Sequence, residues 1–378
     1  MSAQRKRMPC LTVGEDPFER GLLHGREFAQ DVAHNLDTYL RRFGASGLAI
    51  DDAFEEALRW QKAMETQNAE YAEEMRGIAA GAQQTQAAIA LLNARYEIAF
   101  MIFGKDARRQ DAATGETDGC TTFGLMADVT TDEHTWLGQN WDWLEGIHQR
   151  TLVLRITRKN KPSLICLTEA GIVGGKMGVN ECGVGLVENG LASSLDGKNP
   201  YQKPFHMRCR EVLDAERFDA ALAPIVATRR TCSGNFVIGA AEGEIIDCET
   251  SPDHVTYLHP SDGIITHSNH FLGSGHGESQ MEKVGPSTLF RASRMRRLLE
   301  RGEGKIDFTR MVTAMSDHFS APHALCRHPD PSQPGPKRTM TTGAVLIDLE
   351  SRVMHVADGP PCEFPFIAHT VHQPDPAL

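Results

Sequence analysis

Basic residues are in short supply: 39 Lys and Arg stand against 50 Asp and Glu, a formal net charge of −11. Phosphate backbones are bound by clustered cations, so this balance argues against a nucleic-acid partner. No run of about 18 apolar residues occurs, so no membrane span is expected. MSAQRKRMPC is basic, but no apolar run follows it, and a secretory signal is not expected. The nine cysteines (Cys10, Cys120, Cys166, Cys182, Cys209, Cys232, Cys248, Cys326 and Cys362) include no C-x-x-C pair. Their odd number and scattered spacing read as a reduced, cytoplasmic chain with mostly buried thiols. H-E-x-x-H is absent, and GIVGGKMG lacks the G-K-[ST] ending of a phosphate loop. There is no internal repeat and no low-complexity tract.

What is present is ordinary globular composition, 40% hydrophobic and 24% charged over 378 residues, enough for one large domain or two small ones. The first hundred residues read as helical. DPFERGLLHGREFAQDVAHNLDTYLRRF has apolar residues at helical spacing despite Gly21 and Gly25. The next helix has Asp51 or Asp52 as N-cap and Gly81 as its stop, and QAAIALLNARYEIAFMIF gives a third. A polar loop is expected over 104–119. From Cys120 the character changes to short strand-like runs, interrupted by helices around 206–227, 287–300 and 308–319. Ala240 to Gly243 marks a hairpin turn, and TTGAVLIDLESRVMHVADG closes the chain as another hairpin. RHPDPSQPGPKR, 327–338, reads as an exposed loop. The order of elements predicts a layered α+β architecture with a largely antiparallel sheet.

Four stretches could carry chemistry. Cys120 begins a strand directly after Gly119. A thiol is nucleophilic as its thiolate or beside a base. Were the Gly119–Cys120 bond cut, the new α-amine, with a reference pKa of about 7.7–8.0, would supply that base. The thiol itself could open the bond by an N-to-S acyl shift, and Gly119 permits the backbone distortion this needs. In GQNWDW, Asp142 lies on the following strand, where a hairpin would set it beside Cys120; a solvated aspartate flanked by packing tryptophans is the alternative. In THSNHF, Asn269 follows an apolar strand and could donate to an oxyanion, or simply end a strand. In PSTLFRASRMRRLLE, Arg291 and Arg294 share a helix face, where arginines are usually surface charges.

Taken in order, DGCTT, GQNWDW, SNHF and STLFRASR resemble the acyl-coenzyme A:6-aminopenicillanic acid acyltransferase (isopenicillin N acyltransferase) family, self-processing N-terminal-nucleophile (Ntn) amidases and acyltransferases. LNARYEIAF, MSDHFSAPHALCRHPD and VLIDLESRVMHVADGPPC extend the resemblance over most of the chain. It implies an α+β fold, a four-layer αββα Ntn-hydrolase sandwich of antiparallel sheets. It implies one domain over 1–378, cut before Cys120 into chains 1–119 and 120–378 that stay together as an αβ heterodimer, with a higher homo-oligomer also open. By position, Cys120 matches the nucleophile, Asp142 the carboxylate that holds its amine, Asn269 the oxyanion-hole donor and Arg291 the neighbouring arginine. Arg294 is the alternative register to Arg291, and Asn189 in GLVENGL falls at a second polar position. Gln139 stands where the related bile-salt hydrolases have arginine, so their specificity is not carried over. The substrate implied is a small-molecule amide or acyl-CoA, with no metal or organic cofactor. Two other readings compete: a zinc amidohydrolase using His267, His270 and His276, and a non-catalytic binding protein on the same scaffold.

Overall fold

The computed structural model describes residues 5–100 and 119–372. Of the loop expected over 104–119, all but Gly119 lies outside the described residues, as do residues 101–103 of the third expected helix.

The N-terminal helices follow the predicted pattern with different boundaries. Asp16 caps α1 (Pro17–Glu27) by accepting from Glu19 N at 2.9 Å, with proline in the first turn. The expected single helix breaks at Phe28, and α2 (Ala29–Gly44) follows. α3 (Ile50–Gln67) starts after Ala49, so Asp51 and Asp52 occupy its first turn, where their charge complements the helix dipole, and neither is the cap. Asn68 ends α3 and caps α4 (Ala69–Ala82) through Tyr71 N at 3.0 Å. Gly81 does not stop that helix, which ends at Gln83 in the left-handed region. Thr85 caps α5 (Gln86–Asn93), and residues 95–100 are helical again after a break at Ala94.

The glycines that seemed to weaken the helical pattern are what lets α1 and α4 cross backbone to backbone. A Cβ on Gly21 would lie 2.1 Å from Glu74 O, and one on Gly25 2.3 Å from Ile78 O. From the other helix, a Cβ on Gly77 would lie 2.2 Å from Phe18 O and one on Gly81 2.2 Å from Leu22 O. No side chain fits between main chains this close, so Gly81 is retained for packing rather than for termination.

Two sheets form the middle of the molecule. The larger has the order β1-β4-β5-β6-β7-β8-β9-β10: β1 (Cys10–Val13), β4 (Thr151–Ile156), β5 (Leu164–Glu169), β6 (Met177–Asn180), β7 (Val184–Gly190), β8 (Gly234–Ala240), β9 (Glu244–Ser251) and β10 (His254–Leu258). The smaller has the order β11-β2-β3-β12-β13-β14: β11 (Ile264–His267), β2 (Thr121–Leu125), β3 (Trp136–Leu144), β12 (Thr339–Asp348), β13 (Val353–Ala357) and β14 (Ile367–Thr370). Pairing is antiparallel except between β1 and β4, where it is parallel. The sheets face each other through β2 and β3 against β7 and β8. Helices α6 (Phe205–Leu213) and α7 (Phe218–Val226) cover the larger sheet at β6, β7 and β8, and α1 to α5 pack at its β1–β5 end. After the short α8 (Met281–Val284), α9 (Thr288–Leu299) and α10 (Phe308–Met315) cover the smaller sheet. The architecture is therefore αββα.

Strand alternation divides the core in two. In β12, Val345 and Ile347 join the core between the sheets, while Ala344 and Leu346 join a second core under α9 and α10 with Phe123, Leu125, Met295 and Leu299. Among the described residues no helix is long and apolar enough to cross a membrane. All nine cysteines carry free thiols, six of them buried.

The crossing of α1 and α4 makes a direct prediction. Gly77→Ala gains about 1 kcal/mol of helix propensity but forces the main chains apart. The net change should be destabilising by roughly 1–3 kcal/mol. Urea denaturation checks it: an unchanged or raised midpoint would show that the close approach is not required.

Candidate active site

Register alone assembles the first part of the site. Thr121 pairs with Asn140 across β2 and β3, and His267 pairs with Thr122 across β11 and β2. One and two steps further, Gly119 and Cys120 run level with Asp142, Trp141 and Asn269. Cys120 immediately precedes β2 rather than beginning it. It is only 2% exposed and contributes to the core between the sheets, with its thiol donating to Asp142 O at 3.7 Å.

Arg291, one turn into α9, is completely buried, contrary to the usual surface arginine. Its Nη1 donates to the carbonyl oxygens of both Gly119 and Cys120, and to Thr121 Oγ1 at 2.9 Å. Its Nη2 donates to Asn269 Oδ1 at 2.8 Å and its Nε to Ser287 Oγ at 3.2 Å. Asn269 Nδ2 donates to Gly190 O at 2.9 Å, and its backbone N–H to Thr288 Oγ1 at 2.7 Å. The carbonyl joining Gly119 to Cys120 is thus held by a guanidinium.

A second buried arginine completes the cluster, and sequence reasoning missed it. Arg327 belongs to the stretch read as an exposed loop, yet it is fully buried. Its Nε lies 3.3 Å from Asp142 Oδ2, Nη1 donates to Thr339 Oγ1 at 3.1 Å, and Nη2 to Ser287 Oγ at 3.4 Å. Asp142 Oδ1 accepts from Thr341 Oγ1 at 2.6 Å. Asp142 is therefore not solvated: its side chain accepts from Thr341 and faces Arg327. Nothing in the local composition marks Arg327; its role comes from burial after β12 closes over β3. It also explains Gly119. A Cβ on that residue would lie 2.3 Å from the Arg327 guanidinium. The close approach of that guanidinium leaves no room for a side chain there.

The other expected residues are placed differently. Asn189 is buried on β7, donating to Thr122 Oγ1 at 2.7 Å and Asn235 Oδ1 at 2.8 Å, two residues along β2 from Cys120. Arg294 pairs with both oxygens of Asp317 at 2.6 Å and lies over the Phe319 ring; its hydrogen bonds do not reach Cys120. The three histidines do not form one coordination shell. His267 bonds Glu249 and Ser268 O, His270 bonds Thr288 Oγ1, and His276 lies between Thr256 and Ser251. Gln139 is a clamp between sheets, donating to Glu188 O at 2.5 Å and accepting from Glu188 N at 2.8 Å. Trp141 and Trp143 pack as expected, and each also faces a buried cation, Lys176 and Arg95 respectively.

From Asn189 a polar chain runs between the sheets to Asn235, whose amide donates to Asp247 Oδ1. Burial pushes the Asp247 carboxyl up to about 6, against the opposing pull of His267. Burial alone would lower His267, but Asp247 and Glu249 outweigh it and raise its pKa. A cleft of about 420 Å³ reaches the cluster at Ser287, which both arginines touch, and is walled by Pro286, Phe290, Ser320 and His323. A larger cleft, about 530 Å³, lies by Met126, Ile245 and Gly263 and shares no residue with the Cys120 cluster.

Comparison with known proteins adds a third line of observation. A family model described as acyl-coenzyme A:6-aminopenicillanic acid acyl-transferase matches residues 129–361. That span includes Asp142, Asn269, Arg291 and Arg327 and begins downstream of Cys120. Over 354 residues the chain is 29% identical to the acyl-coenzyme A:6-aminopenicillanic-acid-acyltransferase 40 kDa form of Emericella nidulans, covering 93% of this chain and 92% of that protein. Looser likenesses are found among solved structures. An N-acylethanolamine-hydrolyzing acid amidase ortholog of Caenorhabditis elegans aligns with a TM-score of 0.46 at 12% identity, over 61% of this chain and 93% of that one. A conjugated bile acid hydrolase of Clostridium perfringens aligns with a TM-score of 0.46 at 12% identity, over 68% and 93%.

Two predictions follow from the buried charges. Arg327→Met removes a counter-charge from buried Asp142 and should destabilise the protein by about 3–5 kcal/mol. A urea midpoint within error of the wild type would refute this pairing. Asp247 binds its proton more tightly folded than unfolded, so its contribution to stability is full below its ordinary value near 3.8 and is lost as pH rises through about 6. Asp247→Asn keeps an acceptor for Asn235. Between pH 4 and 6 the wild type should lose about 2–3 kcal/mol relative to it. Equal slopes in paired denaturation curves would rule this out.

Proposed function

The chain belongs to the acyl-coenzyme A:6-aminopenicillanic acid acyl-transferase family, and from that premise we propose that it is a self-processing enzyme that carries acyl groups on Cys120. The observation that carries the reading is the hold of Arg291 on Gly119 O. Processing has to polarise that carbonyl, and a buried guanidinium bonded to its oxygen stabilises the negative charge that develops there.

The steps use this chain's own residues. The Cys120 sulfur attacks the Gly119 carbonyl carbon. The C–N bond breaks, the thiol proton passes to the departing Cys120 nitrogen, and a thioester remains. Water hydrolyses it, leaving a Gly119 carboxylate and a free α-amine on Cys120. Residues 1–119 stay attached. β1 pairs with β4, Tyr39 donates to Glu169 at 2.5 Å, and Asn35 donates to Arg150 O and Ala170 O at 3.0 Å. The product is an αβ heterodimer with one continuous core.

In the mature enzyme the α-amine takes the thiol proton as sulfur attacks the substrate carbonyl. Asn269, released from Gly190 O, and Arg291 stabilise the oxyanion. The leaving amine or thiol takes the proton back, and the acyl-thioester is resolved by water or by an acceptor amine. The relative's name joins an acyl-coenzyme A with an aminopenicillanic acid. A thioester or amide donor and an amine acceptor are accordingly the substrate classes assigned here. The cleft at Ser287, with Phe290 and Pro286 on its walls, is where the acyl group enters.

Intact mass spectrometry of freshly made protein tests the reading. Wild type should give chains of 119 and 259 residues, which together make the 378 of the precursor. Cys120→Ala should give one uncut chain and lose at least about 10³-fold in turnover on an amide and thioester panel. Cleavage of the Cys120→Ala protein, or retained turnover, would overturn the assignment.

A further inference from the structure

We propose that His318, Cys326, His328 and Cys362 form a zinc site, distinct from the Cys120 cluster. The two thiols and two imidazoles come from just after α10, from midway along the connection to β12, and from after β13, and their ligand atoms all lie within 4.8 Å of one another. The Cys326 and Cys362 sulfurs are 3.5 Å apart, and the His318 and His328 Nε2 atoms 3.1 Å. His328 Nε2 lies 3.3 Å from the Cys362 sulfur and 3.8 Å from that of Cys326.

These separations match the edges of a tetrahedron around one ion. Zinc–sulfur bonds of about 2.3 Å and zinc–nitrogen bonds of about 2.0–2.1 Å put ligand atoms roughly 3.3–3.8 Å apart. A disulfide would need sulfurs about 2.05 Å apart, whereas these are free thiols. Two sulfurs with two imidazole nitrogens select zinc over magnesium or calcium, which prefer oxygen. His328 presents Nε2 to the cluster and turns Nδ1 toward Glu363 at 3.5 Å, the carboxylate partner that orients a metal-binding imidazole. His318 and Cys362 are exposed, so the ion has an entry path, while Cys326 is buried.

Binding would release two thiol protons and leave both imidazoles neutral, giving a site with two thiolates and no net charge. All four positions are filled by protein, which makes the role structural. The ion would join the loop after α10 to the loop after β13. Cys326 is followed directly by Arg327, so the site would also fix the backbone that aims Arg327 at Asp142. Cys326 N already donates to Asp317 O at 3.0 Å, closing the same loop on itself.

The test uses the full chain, exposed to zinc, desalted and assayed by elemental mass spectrometry. Wild type should retain about one zinc per chain. Cys362→Ser and His318→Ala, both at exposed positions, should each retain at least about tenfold less, with unchanged far-ultraviolet circular dichroism. Cobalt loading of the wild type should produce thiolate-to-cobalt charge-transfer absorption that Cys362→Ser abolishes. Three results would overturn the proposal: no zinc held by the wild type, equal zinc in both variants, or a Cys326–Cys362 disulfide in a non-reducing peptide map of fresh protein.

Discussion

Arg291 is the group on which the site's geometry depends. A guanidinium taken fully out of water is expensive unless acceptors surround it. Here the acceptors come from four places: the carbonyls of Gly119 and Cys120, the Thr121 hydroxyl, the Asn269 amide oxygen and the Ser287 hydroxyl. Satisfying them fixes α9 against the start of β2. It also decides which way Asn269 points. An asparagine amide can be turned over without changing its shape, and the hydrogen-bond network selects the orientation. With Oδ1 facing Arg291, Nδ2 has to face Gly190, so the donor is aimed between β2 and β7.

The second arginine changes the electrostatics rather than the topology. Arg291 and Arg327 share Ser287, and Asp142 is the carboxylate that faces Arg327. Two buried guanidiniums beside Gly119 and Cys120 favour negative charge there. An oxyanion or a thiolate is what acyl chemistry places there. Charge of this kind is already in position before any substrate binds, so it needs no reorganisation during the reaction. The same arginine excludes a side chain from residue 119, so the glycine and the charge are one constraint seen from two sides.

Much of this was legible in the sequence because it depends on strand adjacency. Cys120 precedes, Asp142 lies in and Asn269 follows a run with strand character, and β2 and β3, close in sequence, meet as antiparallel neighbours without long-range information. Arg291 was legible as a position but not as a buried group, since its helix face is defined only once β2 lies beneath it. Arg327 was illegible: a Pro-rich stretch reads as solvent-exposed, and only the closure of β12 over β3 buries its first residue. Gly21, Gly25 and Gly81 looked like flaws or stops because a single helix gives no hint of a partner's main chain. The four-residue strands β1 and β6 carry too few alternations to signal themselves, and pairing with longer neighbours supplies their order.

β3 shows how scaffold and site come to share one strand. Its odd residues face the other sheet: Leu137, Trp141 and Trp143 enter the core there, and Gln139 clamps the backbone of β7. Its even residues from Trp136 to Asn140 face the helical side, whereas Leu144 at the strand's end joins the core between the sheets. Trp136 enters the core under α9 and α10, and Asn140 donates to Met315 O at 2.8 Å and Leu325 O at 2.7 Å. Asp142 follows, answering Arg327. Asn140 thus holds the end of α10 and the approach to Arg327 from the residue two before Asp142. A slip of one residue would send every side chain to the opposite face. It would place Trp141 and Trp143 under the helices, and Trp136 and Asp142 between the sheets. The packing that stabilises β3 therefore enforces the register that Asp142 needs, so core and site cannot be specified separately along this strand.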